Sequence, residues 1–204
     1  MTPTFPLSAM SRLRMATDGD GVTTLVCAWG CPLRCGYCLN KFTWDEDTKV
    51  ERLTAEALYN RVKLDSLYFQ ATGGGVTFGG GEPLLYADFF PEFRRLCGTK
   101  WKLNSETSLA VPRENVILAA EALDSFIVDV KDTDPAVYQA YTGRDNTEVL
   151  DNLRLLLTLA GPERIRIRLP LIPEYNTEEH RDRSEAILRD MGVHNIERFT
   201  YVIR

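Results

Sequence analysis

The chain has 204 residues, a formal net charge of −5, 44% hydrophobic residues and 26% charged ones. A chain of this length buries roughly 70% of its extended surface, so it forms a core without disulfide staples. The mild acidity argues against a general nucleic-acid or anionic-membrane binder, and neither is expected as a partner. No stretch approaches the roughly 20 apolar residues that span a bilayer. The segment from Met1 to Gly21 lacks the unbroken apolar core of a secretory signal, so a cytoplasmic location is expected.

From residue 22 onward, strand-like runs at 22–29, 75–78, 100–104, 125–129, 164–169 and 196–201 alternate with helical patterns. The helical patterns fall near 55–67, 87–97, 112–121, 147–160 and 177–191, and Thr54, Asp88 and Asn176 stand where N-caps belong. The gaps suit crossovers rather than hairpins, so the sequence predicts an α/β chain with a largely parallel sheet. No internal repeat, low-complexity tract or linker divides it. Residues 1–204 read as a single domain in which residues 1–20 are an N-terminal extension.

A complete eight-unit barrel takes about 250 residues, or about 31 per unit, so residues 22–204 hold about six units. In the run at 164–169, Arg164, Arg166 and Arg168 share one face, and Ile165, Ile167 and Leu169 the other. In the next lower strand, Asp129 and Lys131 share a face opposite apolar residues. Helices must cover an apolar face, so the charged face lines an interior cavity. A doubly wound sheet would leave those charges under helices. The expected architecture is a single-domain partial (β/α)6 barrel.

Five cysteines cannot all pair, and three crowd together as Cys31-x3-Cys35-x2-Cys38 directly after the first parallel strand. In a reducing cytosol such crowding points to metal or catalysis. A structural zinc site normally closes four ligands. Cys27 and Cys97 offer no second C-x2-C pair, and both read as buried thiols. Three thiolates with an open position suit an iron–sulfur cluster whose fourth iron takes a substrate. The glycine-rich run at 73–81 lacks the Gly-Lys-Ser/Thr of a phosphate-binding loop.

The cysteine array, with Tyr37 before its last member, precedes Gly80-Gly81-Glu82-Pro83 at the end of the second strand. Together they resemble the radical SAM superfamily. Further words include Asp18-Gly19-Asp20-Gly21, Glu106-Thr107-Ser108, Asp129-Val130-Lys131, Tyr141-Thr142-Gly143 and Arg168-Leu169-Pro170-Leu171-Ile172-Pro173. These resemble its glycyl-radical-enzyme activating branch, of the pyruvate formate-lyase-activating type, over almost the whole chain. The resemblance implies a partial barrel of the radical SAM type. It also implies a [4Fe–4S] cluster on Cys31, Cys35 and Cys38, the metal-ligating and catalytic set. That cluster cleaves S-adenosylmethionine reductively to a 5′-deoxyadenosyl radical. The partners implied are a glycyl-radical enzyme as substrate and a flavodoxin- or ferredoxin-type electron donor.

The resemblance also assigns cofactor contacts. Gly80 and Gly81 admit the methionine end, and Glu82 binds there or supports the loop by hydrogen bonding. Tyr37 lies beside the adenine and Asn40 near the adenosine. Glu106 and Asp129 hold the cofactor through hydroxyls or a bound cation. Lys131 meets its carboxylate, and Arg168 meets that carboxylate or an incoming peptide. His180 and His194 read as solvated surface. Where the branch carries a cofactor-binding histidine after strand 6, this sequence has Tyr201-Val202-Ile203-Arg204. Thr23 stands where an arginine is common, and residues 40–79 contain no cysteine for an auxiliary cluster. Two alternatives stay open: a radical SAM enzyme modifying a small molecule or peptide, and a non-enzymatic iron–sulfur or zinc-binding module.

Overall fold

The computed structural model describes residues 2–15 and 17–201. The chain opens with β1 (Phe5–Met15), which lies antiparallel on β2 (Val22–Ala28), and β3 (Glu51–Leu53) lies antiparallel on the other side of β1. Helices α1 (Ala55–Val62) and α2 (Ser66–Thr72) lead to β4 (Gly75–Gly80), parallel to β2. There follow α3 (Phe90–Cys97), β5 (Lys102–Thr107), α4 (Arg113–Ala122) and β6 (Ser125–Asp129). Helices α5 (Pro135–Thr142) and α6 (Thr147–Ala160), β7 (Ile165–Leu171), α7 (Glu178–Asp190) and β8 (Asn195–Thr200) complete the chain. The sheet order is β3-β1-β2-β4-β5-β6-β7-β8, an open sheet with six parallel strands from β2 to β8. This is the expected α/β partial barrel, with an antiparallel pair added at one edge.

The core follows from strand alternation. Val26, Phe78, Leu103, Val128 and Ile167 are all buried, one from each of five parallel strands. Phe78 packs against Phe5, Phe90 and Phe93 at ring-centroid distances of 5.3, 4.9 and 5.4 Å, tying β1 and α3 to β4. Burying each such ring contributes roughly 1.5–3 kcal/mol. In β7, Ile165, Ile167 and Leu169 are buried while Arg166 and Arg168 are half-buried on the other face, as the alternation predicts. Arg164 departs from it. It precedes β7 and donates to the carbonyls of Ala120, Leu123 and Asp124 at the foot of the sheet.

Local details differ from the pattern in other places. Thr54 caps α1 by accepting from the Ala57 amide at 3.2 Å. Asp88, however, sits inside a 3-10 turn over Pro83–Phe89. Thr177 caps α7, while the Asn176 side chain accepts from the Ile172 amide and donates to Asp132. The helical pattern at 55–67 is broken by a 3-10 turn at Lys63–Asp65. Strands β1 and β3 and helix α5 have no counterpart in the pattern reading. Among the described residues no helix is long and apolar enough to cross a membrane.

Candidate active site

The carboxyl ends of the six parallel strands share one side of the sheet, and a cavity of about 610 Å³ opens there. Cys31, Cys35 and Cys38 line it from the loop after β2. Glu106, Asp129, Lys131 and Arg168, from the ends of β5, β6 and β7, give it a charged side. Asn40, Gly80 and Gly81 also line it.

Backbone hydrogen bonds fix the cysteine loop from two directions. The Arg34 and Gly36 amides donate to the carbonyls of Thr142 (2.9 Å) and Tyr141 (3.0 Å) at the end of α5. The Gly81 and Glu82 amides donate to the carbonyls of Ala28 (3.1 Å) and Gly30 (2.8 Å). Asn40 Nδ2 donates to the Gly80 carbonyl at 3.1 Å. None of the five cysteines is in a disulfide. Burial pushes the Cys31 thiol up to about 12, with the Glu82 charge adding to it. Burial also raises Cys35, against the pull of the Lys131 ammonium.

The two glycines of the β4 end make room for protein rather than for open space. Gly80 has φ +87°, and a Cβ on it would lie 2.5 Å from Cys27 Cβ. A Cβ on Gly81 would lie 2.2 Å from the Gly30 carbonyl oxygen. Gly81→Ala must therefore push back the backbone just before Cys31. Overpacking of this kind costs about 1–3 kcal/mol, a melting temperature lower by roughly 2–12 °C in a chain of this size. Thermal denaturation should show that loss, together with reduced iron uptake.

Glu82 lies outside the cavity lining, fully buried behind it. It accepts from Thr107 Oγ1 (2.7 Å), the Ser108 amide (2.8 Å), Ser108 Oγ (2.6 Å) and the Leu84 amide (3.2 Å). Thr107 and Ser108 in turn line the cavity, so Glu82 braces the wall from behind. Lys131 Nζ is buried 3.0 Å from Asp129 Oδ2 and 3.4 Å from the Tyr201 hydroxyl. Burial pulls its pKa down, but Asp129 and its other neighbours hold it well above the usual value. Arg168 donates to Glu106 Oε1 at 2.8 Å and to the Thr17 carbonyl. Burial raises the Glu106 carboxyl, helped by Asp18 and Asp129 and opposed by Arg168.

Tyr37 is likewise absent from the lining. Its ring packs on Tyr175 with centroids 5.6 Å apart, and its hydroxyl donates to Glu174 at 2.6 Å. The structure thus gathers ten of the twelve sequence-predicted residues around one cavity, with Glu82 and Tyr37 beside it. It adds Arg14, paired with Asp18, from β1, and Tyr201 from just beyond β8. Arg14 carries no local motif; Asp18 belongs to a family word but had no role attached. Residues 202–204 lie outside the described residues.

Three soft thiols on one loop, beside a buried cation, suit the irons of an iron–sulfur cluster. Among the described residues, no three Cys, His, Asp or Glu side chains are grouped to hold a single metal ion.

A family model for the Radical SAM superfamily matches residues 26–187. The chain is 34% identical over 163 residues to the pyruvate formate-lyase-activating enzyme of Listeria monocytogenes, covering 76% of this chain and 64% of that protein. It is 27% identical over 238 aligned positions to the (2S)-3-sulfopropanediol dehydratase activating enzyme of Klebsiella oxytoca, covering 86% and 74%. Streptococcus suis SuiB shares the fold, with a TM-score of 0.65 at 15% identity over 87% of this chain and 39% of that one. So does anSMEcpe with bound AdoMet, with a TM-score of 0.60 at 19% identity over 84% and 49%. The chain therefore spans about 64% of the length of the Listeria relative. Membership of the family implies an iron–sulfur cluster and S-adenosylmethionine. With its family match running from the end of β2 into α7, the chain belongs to the Radical SAM superfamily.

Proposed function

We propose that the chain is the catalytic core of a glycyl-radical-enzyme activating enzyme. The observation that carries this is the single cavity uniting the three cysteines with Lys131, Asp129, Glu106 and Arg168. Similarity to two activating enzymes supports the branch. Cys31, Cys35 and Cys38 would hold a [4Fe–4S] cluster, which when bound and reduced would supply the electron for the reductive cleavage of S-adenosylmethionine. This chain's own residues bind and orient. Lys131, kept cationic by Asp129, receives the cofactor carboxylate. Arg168, held by Glu106 and the Thr17 carbonyl, directs its guanidinium to the peptide that carries the target glycine. Asn40 and the Gly80 backbone keep the cysteine loop against β4. A flavodoxin- or ferredoxin-type protein delivers the electron, and a glycyl-radical enzyme is the substrate.

The test mixes reduced protein, S-adenosylmethionine and a candidate glycyl-radical enzyme without oxygen, followed by EPR. A glycyl doublet on the partner, absent when the cofactor is omitted, is the expected result. Abundant 5′-deoxyadenosine with no radical on any candidate partner overturns the activase reading in favour of a small-molecule or peptide substrate. No cofactor cleavage at all overturns both.

A further inference from the structure

The turn that follows β7 holds a residue its backbone does not suit. Ile172-Pro173-Glu174-Tyr175 is closed by the Tyr175 amide, which donates to the Ile172 carbonyl at 3.1 Å. Proline stands second in the turn, and Glu174, third, has φ +69°. That is the pattern of a type II turn, whose third position favours glycine or asparagine. Glutamate is strained there, and Glu174 is exposed, with no core contact to offset the strain. A strained residue of this kind calls for a local reason.

The reason lies in the cysteine loop. The Tyr37 hydroxyl donates to Glu174 Oε2 at 2.6 Å, across 137 positions of sequence. The next residue, Tyr175, packs edge-on against the Tyr37 ring with centroids 5.6 Å apart, and against Tyr141 of α5 at 5.0 Å. Tyr175 also presses on Gly36, where a Cβ would sit 2.7 Å from the tyrosine hydroxyl. The turn therefore grips both residues that separate Cys35 from Cys38.

That grip falls where the loop is otherwise least secured. Arg34 and Gly36 bond one part of it to α5, and Asn40 bonds the far end to Gly80. Between them, among the described residues, the backbone of 37–39 makes one hydrogen bond, from the Cys38 amide to the Cys35 carbonyl at 3.2 Å. That bond is internal to the loop. Leu39, on the other side of Cys38, is 83% exposed and anchors nothing. The side chain of Tyr37 is thus the tie from this segment to the rest of the protein.

We propose that Glu174 is a positioning residue that clasps Tyr37 and so keeps Cys38 in place on a bound iron–sulfur cluster. Glu174 does not ligate the metal; it acts through Tyr37. Partners behind a metal ligand fix its orientation, and their loss weakens the hold on the metal. The inference rests on the assignment of Cys31, Cys35 and Cys38 as iron ligands.

The experiment reconstitutes wild type, Glu174→Gly, Glu174→Gln, Tyr37→Phe and the double variant Tyr37→Phe/Glu174→Gly with iron and sulfide anaerobically. Excess EDTA is then added, and the decay of the cluster absorbance is followed. Glu174→Gly should load as much iron as wild type and lose it about fivefold faster, the factor that one ordinary hydrogen bond supplies. Tyr37→Phe should do the same, and the double variant should lose iron no faster than either single one. Glu174→Gln keeps an accepting oxygen and should lose iron more slowly than Glu174→Gly. Stability should move the other way. Metal-free Glu174→Gly should melt no lower than metal-free wild type, because glycine is the residue this turn favours.

Equal decay rates in fully loaded wild type, Glu174→Gly and Tyr37→Phe overturn this inference alone, as do effects that simply add in the double variant. A lower melting temperature for metal-free Glu174→Gly also overturns it, since Glu174 would then serve the fold rather than the ligand. Should Glu174→Gly load incompletely, Tyr37→Phe carries the same test. Wild-type protein that takes up no iron overturns the cluster assignment and this inference with it.

Discussion

Cys35→Ala protein, reconstituted anaerobically, is expected to lose nearly all the iron that wild type retains, and Cys97→Ala to retain it in full. Cys35 lines the cavity between Cys31 and Cys38, and the array offers no spare thiol to replace it. Cys97 ends α3, is buried in the core, and lines a different depression. Uptake by wild type should also depend on pH. Metal binding takes the thiolate form and releases protons. Burial pushes Cys31 up to about 12, so both rate and extent of loading should climb as pH rises above neutrality. Iron and sulfide analysis across the three proteins and several pH values checks this. A fully loaded Cys35→Ala protein contradicts the ligand assignment.

Glu82→Ala should be among the most destabilising single changes in the chain, even though Glu82 never reaches the cavity. The substitution removes one carboxylate and four hydrogen bonds, and strands the buried amide of Leu84 and the half-buried amide of Ser108. At about 1–3 kcal/mol for each buried group left unpaired, a loss near 3 kcal/mol follows. That corresponds to a melting temperature roughly 6–12 °C lower for a chain of this size. Glu82→Gln should lose less, since its amide keeps one accepting oxygen but turns an NH2 toward groups that also donate. Burial raises the Glu82 carboxyl despite its four donors. An acid whose pKa is raised by folding favours the native state most at low pH. Its contribution shrinks as pH climbs from the unfolded value of about 4.3 through the folded one. The wild-type advantage over Glu82→Ala should therefore narrow as pH increases, which melts at pH 5 and pH 8 would register. Equal melting temperatures would show that the network carries no net stability.

Periodic features were legible in the sequence. Alternation in β6 and β7 put Asp129, Lys131 and Arg168 on one face, and that face does line the cavity. What escaped was structure without a period. β1 contains Pro6 and a register break near Leu13, whose φ is +55°, so its side chains never settle into strict alternation. Helix α5 is only eight residues long, although Asp134 followed by Pro135 is a sound N-cap and N1 signal. The site shows a similar division. Spacing placed the cysteines and glycines that line one cavity, yet neighbours in sequence face different ways. Glu82 turns behind the wall while Gly81 lines it, and Tyr37 turns toward Glu174, a residue from the β7–α7 loop that no local pattern connects to it. Arg14 reaches the cavity from the one long strand that the pattern did not reveal.

The anchoring of the cysteine loop to α5 and to the β4 end has a consequence for the life history of the protein. In small zinc domains the metal supplies the free energy of folding, and the empty chain is a coil. Here the four hydrogen bonds donated by the backbone amides of Arg34, Gly36, Gly81 and Glu82 belong to the polypeptide itself. The entropy of ordering the loop is thus lost at folding and not at metal capture. Protein treated with a chelator is therefore expected to keep its fold and its protease resistance and to take iron up again, which circular dichroism and limited proteolysis check. Repair, on this scaffold, is a matter of resupply rather than resynthesis.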